Sequence, residues 1–186
     1  MRYGYVFNVI STDRPGIVAS VSSAIAKLKG NIESCSQTVL SSYFTLIMIV
    51  TLPQKWNLKE LEDIILNSEG MNDCQVLARE VSKKDVRPPA KKENTFVVTA
   101  SGKDREDIVA QFSRYLAGKD INIIDLFGYI TTDGNFVMIS QVEVDPRLDI
   151  QNIQYDLEEL GLEFGFTVGL QHNNIFVATN QLRMDS

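Results

Sequence analysis

The chain has 186 residues, 44% hydrophobic and 23% charged, the composition of a globular protein long enough for one domain or two small ones. Eighteen basic against 24 acidic side chains leave a net charge of -6, the wrong sign for a surface that grips a nucleic-acid backbone. Two cysteines, Cys35 and Cys74, and one histidine exclude a disulfide framework and a familiar zinc site, so neither a metal nor a cofactor is expected.

At the start of the chain, Asp13 is reached without a long apolar core, so no secretory leader is read there. The most apolar stretch, residues 46–50, is far short of the ~20 residues of a membrane span. A cytoplasmic protein is expected. Residues 5–12 are β-rich and end at Asp13-Arg14-Pro15-Gly16. Ile17, Val18, Val21, Ala24, Ile25 and Leu28 then recur at helical spacing, and Gly30 is expected to close that helix. Residues 31–40 and 43–52 form two strands about Ser41-Ser42. Leu58, Leu61, Ile64 and Ile65 mark a second helix, and residues 74–82 a fourth strand.

Residues 84–93 hold a Pro-Pro pair and a net charge of +2, with no apolar periodicity. They are read as an extended linker between a first domain, residues 1–83, and a second, residues 94–186. The first domain is neutral and the second carries -8, which argues against direct nucleic-acid binding there.

Beyond the linker the order of elements repeats. Residues 96–101 are a strand, and Ile108, Val109, Phe112 and Leu116 give a helix face. Residues 122–130 and 136–144 flank Asp133-Gly134, a hairpin signal. Ile150, Ile153, Leu157 and Leu160 mark the next helix, and Phe164, Phe166, Val168 and Leu170 alternate with Gly165, Thr167 and Gly169 as in a half-buried strand. Residues 173–184 read as a short helix by the spacing of Ile175, Phe176, Thr179 and Leu182, although Ile-Phe-Val also suits a strand. A shift of 91 positions superposes Asp13-Arg14 on Asp104-Arg105, Ile17-Val18-Ala19 on Ile108-Val109-Ala110, and Asn31-Ile32 on Asn122-Ile123. Nine of twenty positions are identical without a gap, so the chain is an internal duplication.

The fold class is therefore α+β: two βαββαβ units, ferredoxin-like, each a four-stranded antiparallel sheet of order 4-1-3-2 with both helices on one face. Units of ~80 residues have thin cores and leave the other sheet face and the strand-2 edge open. Pairing, edge to edge or face to face, is the expected remedy.

No Walker A, dinucleotide fingerprint, H-E-x-x-H or G-x-S-x-G motif is present, and His172 has no nucleophile beside it, so no catalytic residue and no enzymatic activity are expected. RNA-recognition modules share the βαββαβ order, but their third strand carries a basic, aromatic segment. Here that strand reads Tyr43-Phe44-Thr45-Leu46-Ile47-Met48 in one copy and Gly134-Asn135-Phe136-Val137-Met138-Ile139 in the other, without the basic residue.

What remains is Asp13-Arg14-Pro15-Gly16-Ile17-Val18 with Asn31-Ile32. In structural terms this is a turn, a proline and a glycine before a helix. In functional terms, free N–H groups at the helix start attract an anion such as a carboxylate, Asp13 holds an ammonium group, and an asparagine donates and accepts at once. A carboxylate beside an ammonium group is an α-amino acid.

Strand, D-R-P-G-I-V, helix, N-I, strand resembles the ACT domain family, small βαββαβ modules in regulators of amino-acid metabolism. Two copies on a short Pro-Pro linker, with Tyr43 to Met48 in the third strand, resemble more narrowly the glycine cleavage system transcriptional repressors. That resemblance implies control of a partner protein, a transcription activator, with glycine as the suspected effector. The motif also resembles the regulatory part of formyltetrahydrofolate deformylase, whose catalytic domain is absent from this sequence, and the tail is more like small stand-alone ACT proteins. In the regulatory domain of phosphoglycerate dehydrogenase, which shares the motif, serine is held at three positions. They match Ser11, Asp13 and Asn31 here, and Gly102, Asp104 and Asn122 in the second copy. Ser11 stands where that family has a histidine.

The expected protein is thus a non-enzymatic regulator that binds a small amino acid and acts on a partner, a transcription activator or an enzyme. The alternatives are a structural dimerisation module with vestigial sites and a regulatory subunit of a metabolic enzyme; a homodimer is open. Within one copy, fourteen residues of helix at ~1.5 Å each place Asp13 about 21 Å from Asn31. One copy cannot close a site on a small ligand. If the copies pair antiparallel through their strand-2 edges, the working site combines Ser11, Asp13, Arg14, Pro15, Gly16 and Ile17 with Asn122. The reciprocal site, Asp104, Arg105, Glu106 and Asp107 with Asn31, is expected to be degenerate, because two carboxylates stand where Pro15 and Gly16 stand in the first.

Overall fold

The computed structural model describes residues 2–82 and 94–181; the predicted linker, residues 84–93, and the end of the tail lie outside them. The chain divides into two compact units, Met1–Ala90 and Lys91–Ser186. The first unit runs β1 (Tyr3–Thr12), α1 (Ile17–Lys27), β2 (Asn31–Leu40), β3 (Tyr43–Leu52), α2 (Leu58–Leu66), β4 (Gln75–Val81). The second runs β5 (Thr95–Lys103), α3 (Ile108–Gly118), β6 (Asn122–Ile130), β7 (Asn135–Glu143), α4 (Ile150–Phe164), β8 (Phe166–His172), and a closing helix α5 (Asn173–Gln181) follows. Both sheets are antiparallel, with orders β2-β3-β1-β4 and β6-β7-β5-β8, the 4-1-3-2 arrangement expected of two interleaved split βαβ units. Among the described residues no helix is long and apolar enough to cross a membrane.

Alternation along β1 sets the core. Tyr5, Phe7 and Val9 are fully buried and join Val21 and Ile25 of α1, Leu46 and Met48 of β3, and Leu61 and Ile65 of α2 in one cluster. The Tyr5 hydroxyl, buried with its ring, accepts from the Trp56 backbone N–H at 2.9 Å, so its polar atom has a partner. In the second unit Val98 and Ala100 of β5, Phe112 and Leu116 of α3 and Leu157 of α4 do the same. The two helices of each unit therefore share one face of its sheet.

Two local readings differ from expectation. The helix α1 ends in a Schellman arrangement, with Gly30 N–H donating to Ile25 O and Lys29 N–H to Ala26 O, but the residue in the left-handed region is Lys29, at φ 55°, not Gly30. The second unit matches it with Asp120, at φ 57°. The strand expected from Phe164 starts at Phe166: α4 runs on through Phe164, and Gly165, at φ 75°, closes it. The tail is helical, as its spacing indicated.

The strands β2 and β6 form one edge of each sheet. All ten residues of β2 are exposed, and β6 is exposed at all but Ile123. Each carries a bulge at the same place, between Ile32 and Ser34 in one and between Ile123 and Asp125 in the other.

Candidate functional site

The segment after β1 is built for a sharp entry into a helix. Asp13 N–H donates to Ser42 O at 2.8 Å, tying it to the β2–β3 hairpin. Gly16 follows at φ 100°, a conformation costly for any residue with a Cβ, and α1 begins at Ile17, which is buried. The first intrahelical bond runs from Ser20 N–H to Gly16 O at 2.9 Å, and no side chain caps the end. The N–H groups of residues 17–19 therefore precede the ladder and face outward with the positive end of the helix dipole. Asp13 is exposed, and among the described residues no hydrogen bond or ion pair engages its carboxylate.

Ser11 and Arg14 are turned inward. The Ser11 hydroxyl, 4% exposed, donates to Thr12 O and accepts from Arg14 Nη1 at 2.6 Å. Arg14 Nη2 donates to Gly70 O at 2.8 Å and also to Asn72 O, with Cys74 Sγ at 3.5 Å. The guanidinium clamps the α2–β4 loop to the end of β1 and so fixes the shape of the turn that carries Asp13 and Gly16. Arg14→Ala is expected to lower stability by about 1–2 kcal/mol, because charged hydrogen bonds to carbonyls are lost at a partly exposed site. Urea denaturation measures this, and a variant as stable as the parent would remove the clamp.

The second unit repeats the backbone and changes the chemistry. Asp107 takes the position of Gly16, at φ 65°, tolerable for a short polar side chain. Its Oδ2 accepts from Gln111 Nε2 at 2.9 Å, and Arg105 Nη2 lies 3.8 Å from its Oδ1. Arg105 does not reproduce the clamp; its guanidinium lies 4.6 Å over the ring of Phe164. Arg105, Glu106 and Asp107 line an open depression of about 480 Å³. The start of α3, like that of α1, has no side-chain cap, but Glu106 and Asp107 add two carboxylates beside it, and that of Asp107 is engaged by Gln111 and Arg105.

The register separates each motif from the asparagine of its own unit. Along β3, Tyr43 pairs with Thr12 and Thr51 pairs with Asn31. Those positions are eight residues apart, roughly 26 Å at ~3.3 Å per residue. In the second unit Asn135 pairs with Lys103 and Glu143 with Asn122, the same spacing. Asp13 and Asn31 therefore do not meet within one unit, nor do Asp104 and Asn122.

The asparagines differ in a way the sequence reading missed. Asn31 Nδ2 donates to Glu33 Oε1 at 3.0 Å, and Thr51 Oγ1 donates to the same oxygen at 2.7 Å. The Asn31 amide, the Thr51 hydroxyl and the nearby Arg2 hold the Glu33 carboxyl below its ordinary range, so a fixed negative charge stands beside Asn31. In the second unit the corresponding bulge residue is Ile124. Asn122 is exposed and its amide has no hydrogen bond among the described residues. The signal was the contrast Asn-x-Glu against Asn-x-Ile.

Comparison with known proteins agrees with this architecture. The family model of the ACT domain matches residues 5–77 and 94–171. A UPF0237 protein from Methanocaldococcus jannaschii is 38% identical over 81 residues, which is 89% of that protein and 43% of this chain. Among solved structures, an unknown protein from Galdieria sulphuraria superposes with a TM-score of 0.74 at 25% identity, covering 92% of this chain and 99% of its own. A candidate glycine cleavage system transcriptional repressor superposes with a TM-score of 0.65 at 18% identity, covering 93% of this chain and 99% of its own. That likeness is one of fold.

Proposed function

Since the chain belongs to the ACT domain family, with the domain present twice, we propose that it is a non-enzymatic regulatory protein that binds a small α-amino acid and acts on a protein partner. One observation carries this reading: the uncapped start of α1 lies beside the unpartnered carboxylate of Asp13. The N–H groups of residues 17–19 take the ligand carboxylate, and Asp13 takes its ammonium group. Pro15 and Gly16 keep the approach free of side-chain charge, and Ser11 and Arg14 hold the turn. The missing polar group is an asparagine from another ACT unit, for which Asn122, unoccupied by protein partners, is the better suited. Glycine, the effector that the resemblance to the glycine cleavage repressors implies, is the first ligand to test, and a transcription regulator of amino-acid metabolism is the first partner.

A thermal-shift screen of the intact chain against the twenty amino acids tests the reading. At a hundred times the dissociation constant, binding stabilises the folded state by about 2.7 kcal/mol. In a chain of this length that raises the midpoint by roughly 5–10 °C. A shift confined to one or two small amino acids is expected. A flat panel would overturn it in favour of a structural pairing module, the reading that the carboxylate-filled start of α3 favours for the second unit taken alone.

A further inference from the structure

The second helices of the two units can be aligned by their caps, Asn57 for α2 and Asp149 for α4, and they differ beyond that point: α2 has nine residues and α4 fifteen. In the first unit the chain leaves the helix into a loop whose Glu69 O accepts from Ser20 Oγ of α1 at 2.6 Å. In the second unit the helix runs six residues further, to Phe164. The added turns carry Leu162, at 72% the most exposed large apolar side chain among the described residues. Tyr155, two turns earlier on the same side of α4, is 63% exposed. It stands where α2 has Asp63, a carboxylate paired with Lys59 at 3.1 Å.

Charge separates the two helices as well. Four carboxylates and no basic side chain lie on α4. Two of the four have partners: Glu158 accepts from Gln154 Nε2 at 2.8 Å, and Asp156 accepts from the Tyr115 hydroxyl and pairs with Lys119 Nζ, each at 3.0 Å. Glu159 and Glu163 are exposed, and no hydrogen bond or ion pair engages them among the described residues. With Tyr155 and Leu162 they line an open depression of about 570 Å³, which Tyr115 of α3 completes. At 3.6 residues per turn Leu162, Tyr155, Glu159 and Glu163 fall within an arc of about 100°, so the two apolar anchors and the two free carboxylates share one stripe.

We propose that this stripe of α4 docks a helical segment of the partner protein, one that carries an arginine and a large apolar side chain seven residues apart. The inference rests on the reading that the chain acts on a protein partner, and it adds the place and the chemistry of the contact. The guanidinium lies over the Tyr155 ring and pairs with Glu159 one turn along. The apolar side chain covers Leu162, about 10.5 Å from Tyr155 along the axis, and Glu163 takes a second cation at the rim. A helix laid along α4 repeats the same spacing between its own anchors. A purely apolar segment would desolvate Glu159, which stands between the anchors, and give it no partner. A second copy of α4 would set carboxylates against carboxylates, and a nucleic acid has the wrong sign.

Fluorescence anisotropy of the intact chain, with no amino acid added, is the test. The probe is a labelled alanine-rich helical peptide with an arginine and a leucine seven residues apart, and its twin has glutamate for arginine. The arginine peptide is expected to bind in the submillimolar range and the twin not to bind. Tyr155→Ala with Leu162→Ala should weaken binding at least about tenfold. Glu159→Gln with Glu163→Gln should do the same and remove most of the salt dependence. Asp63→Asn, at the matching place in the first unit, should change nothing. All these positions are exposed, so the fold is retained, and the thermal midpoint checks this. An arginine peptide that does not bind, a twin that binds as well, or double variants that bind like the parent would each overturn the proposal. Peptide binding beside a flat amino-acid panel would overturn the ligand reading alone.

Discussion

Asn122→Ala is expected to abolish amino-acid binding in calorimetry, while Asn31→Ala leaves it nearly intact. The asymmetry has two independent sources. The starts of α1 and α3 are both uncapped, but Pro15 and Gly16 bring no charge to the first, whereas Glu106 and Asp107 bring two carboxylates to the second, one of them paired with Arg105. Like charges at ~4 Å repel by about 4 kcal/mol at an effective dielectric of 20. The asparagines are unequal as well: the Asn31 amide is committed to Glu33, and the Asn122 amide is uncommitted. Hydrogen bonds to the charged groups of an amino acid contribute about 1.5–3 kcal/mol each, so losing two amounts to at least a hundredfold in affinity. Two equivalent sites per chain would sink this model. Loss of binding with Asn31→Ala alone would point to pairing of like units across a dimer.

Gly102→Ser is expected to destabilise the second unit by about 1–3 kcal/mol, although serine is what the first unit carries at that place. A Cβ at Gly102 would lie 2.6 Å from Gly165 O and 2.8 Å from the Phe166 ring. The cause is the longer pairing of β8: Gly102 pairs with Phe166, while β4 pairs with β1 only as far as Ile10 and leaves Ser11 room for its hydroxyl. The reverse change, Ser11→Gly, removes only the bonds to Thr12 and Arg14 and should cost about 1 kcal/mol. Chemical denaturation of both variants checks the order, and a Gly102→Ser variant as stable as the parent would refute it.

Most of the fold was legible because the signals are local. The apolar period switches from 3.6 to 2 at each boundary, and β2, β3 and β6 begin and end where composition placed them. Phe164 and Gly165 misled because an alternating run continues smoothly from the last turn of a helix. Only the chain geometry reveals that Gly165 adopts φ 75° and reverses direction. For the site, the turn and its glycine could be read from D-R-P-G, and so could the separation of Asp13 from Asn31, since helix length alone determines it. The inward turn of Arg14, and of Ser11 with it, could not, because the acceptors that hold Arg14 are the backbone carbonyls of Gly70 and Asn72, about sixty positions away. Glu33 was within reach of sequence reasoning, had the residue two places after each asparagine been compared between copies.

The bare β2 edge also bears on how the protein is made. The first unit is complete, β2 included, while the second is still being synthesised. At ~5–20 residues per second, its ninety or so residues take roughly 5–20 s to emerge. Through that interval a strand of ten exposed residues stands open to other nascent chains, the situation in which edges seed misassembly. The bulge at Glu33 breaks the ladder within β2, and Ser34, Ser36, Gln37 and Thr38 keep its middle largely polar, while Ile32, Val39 and Leu40 stay exposed towards its ends. The strand β6 has a bulge at the same place with Ile124 there, so what β2 adds is the charge of Glu33 on the open edge, and a Glu33→Val chain is the one in which aggregation during translation should first be seen.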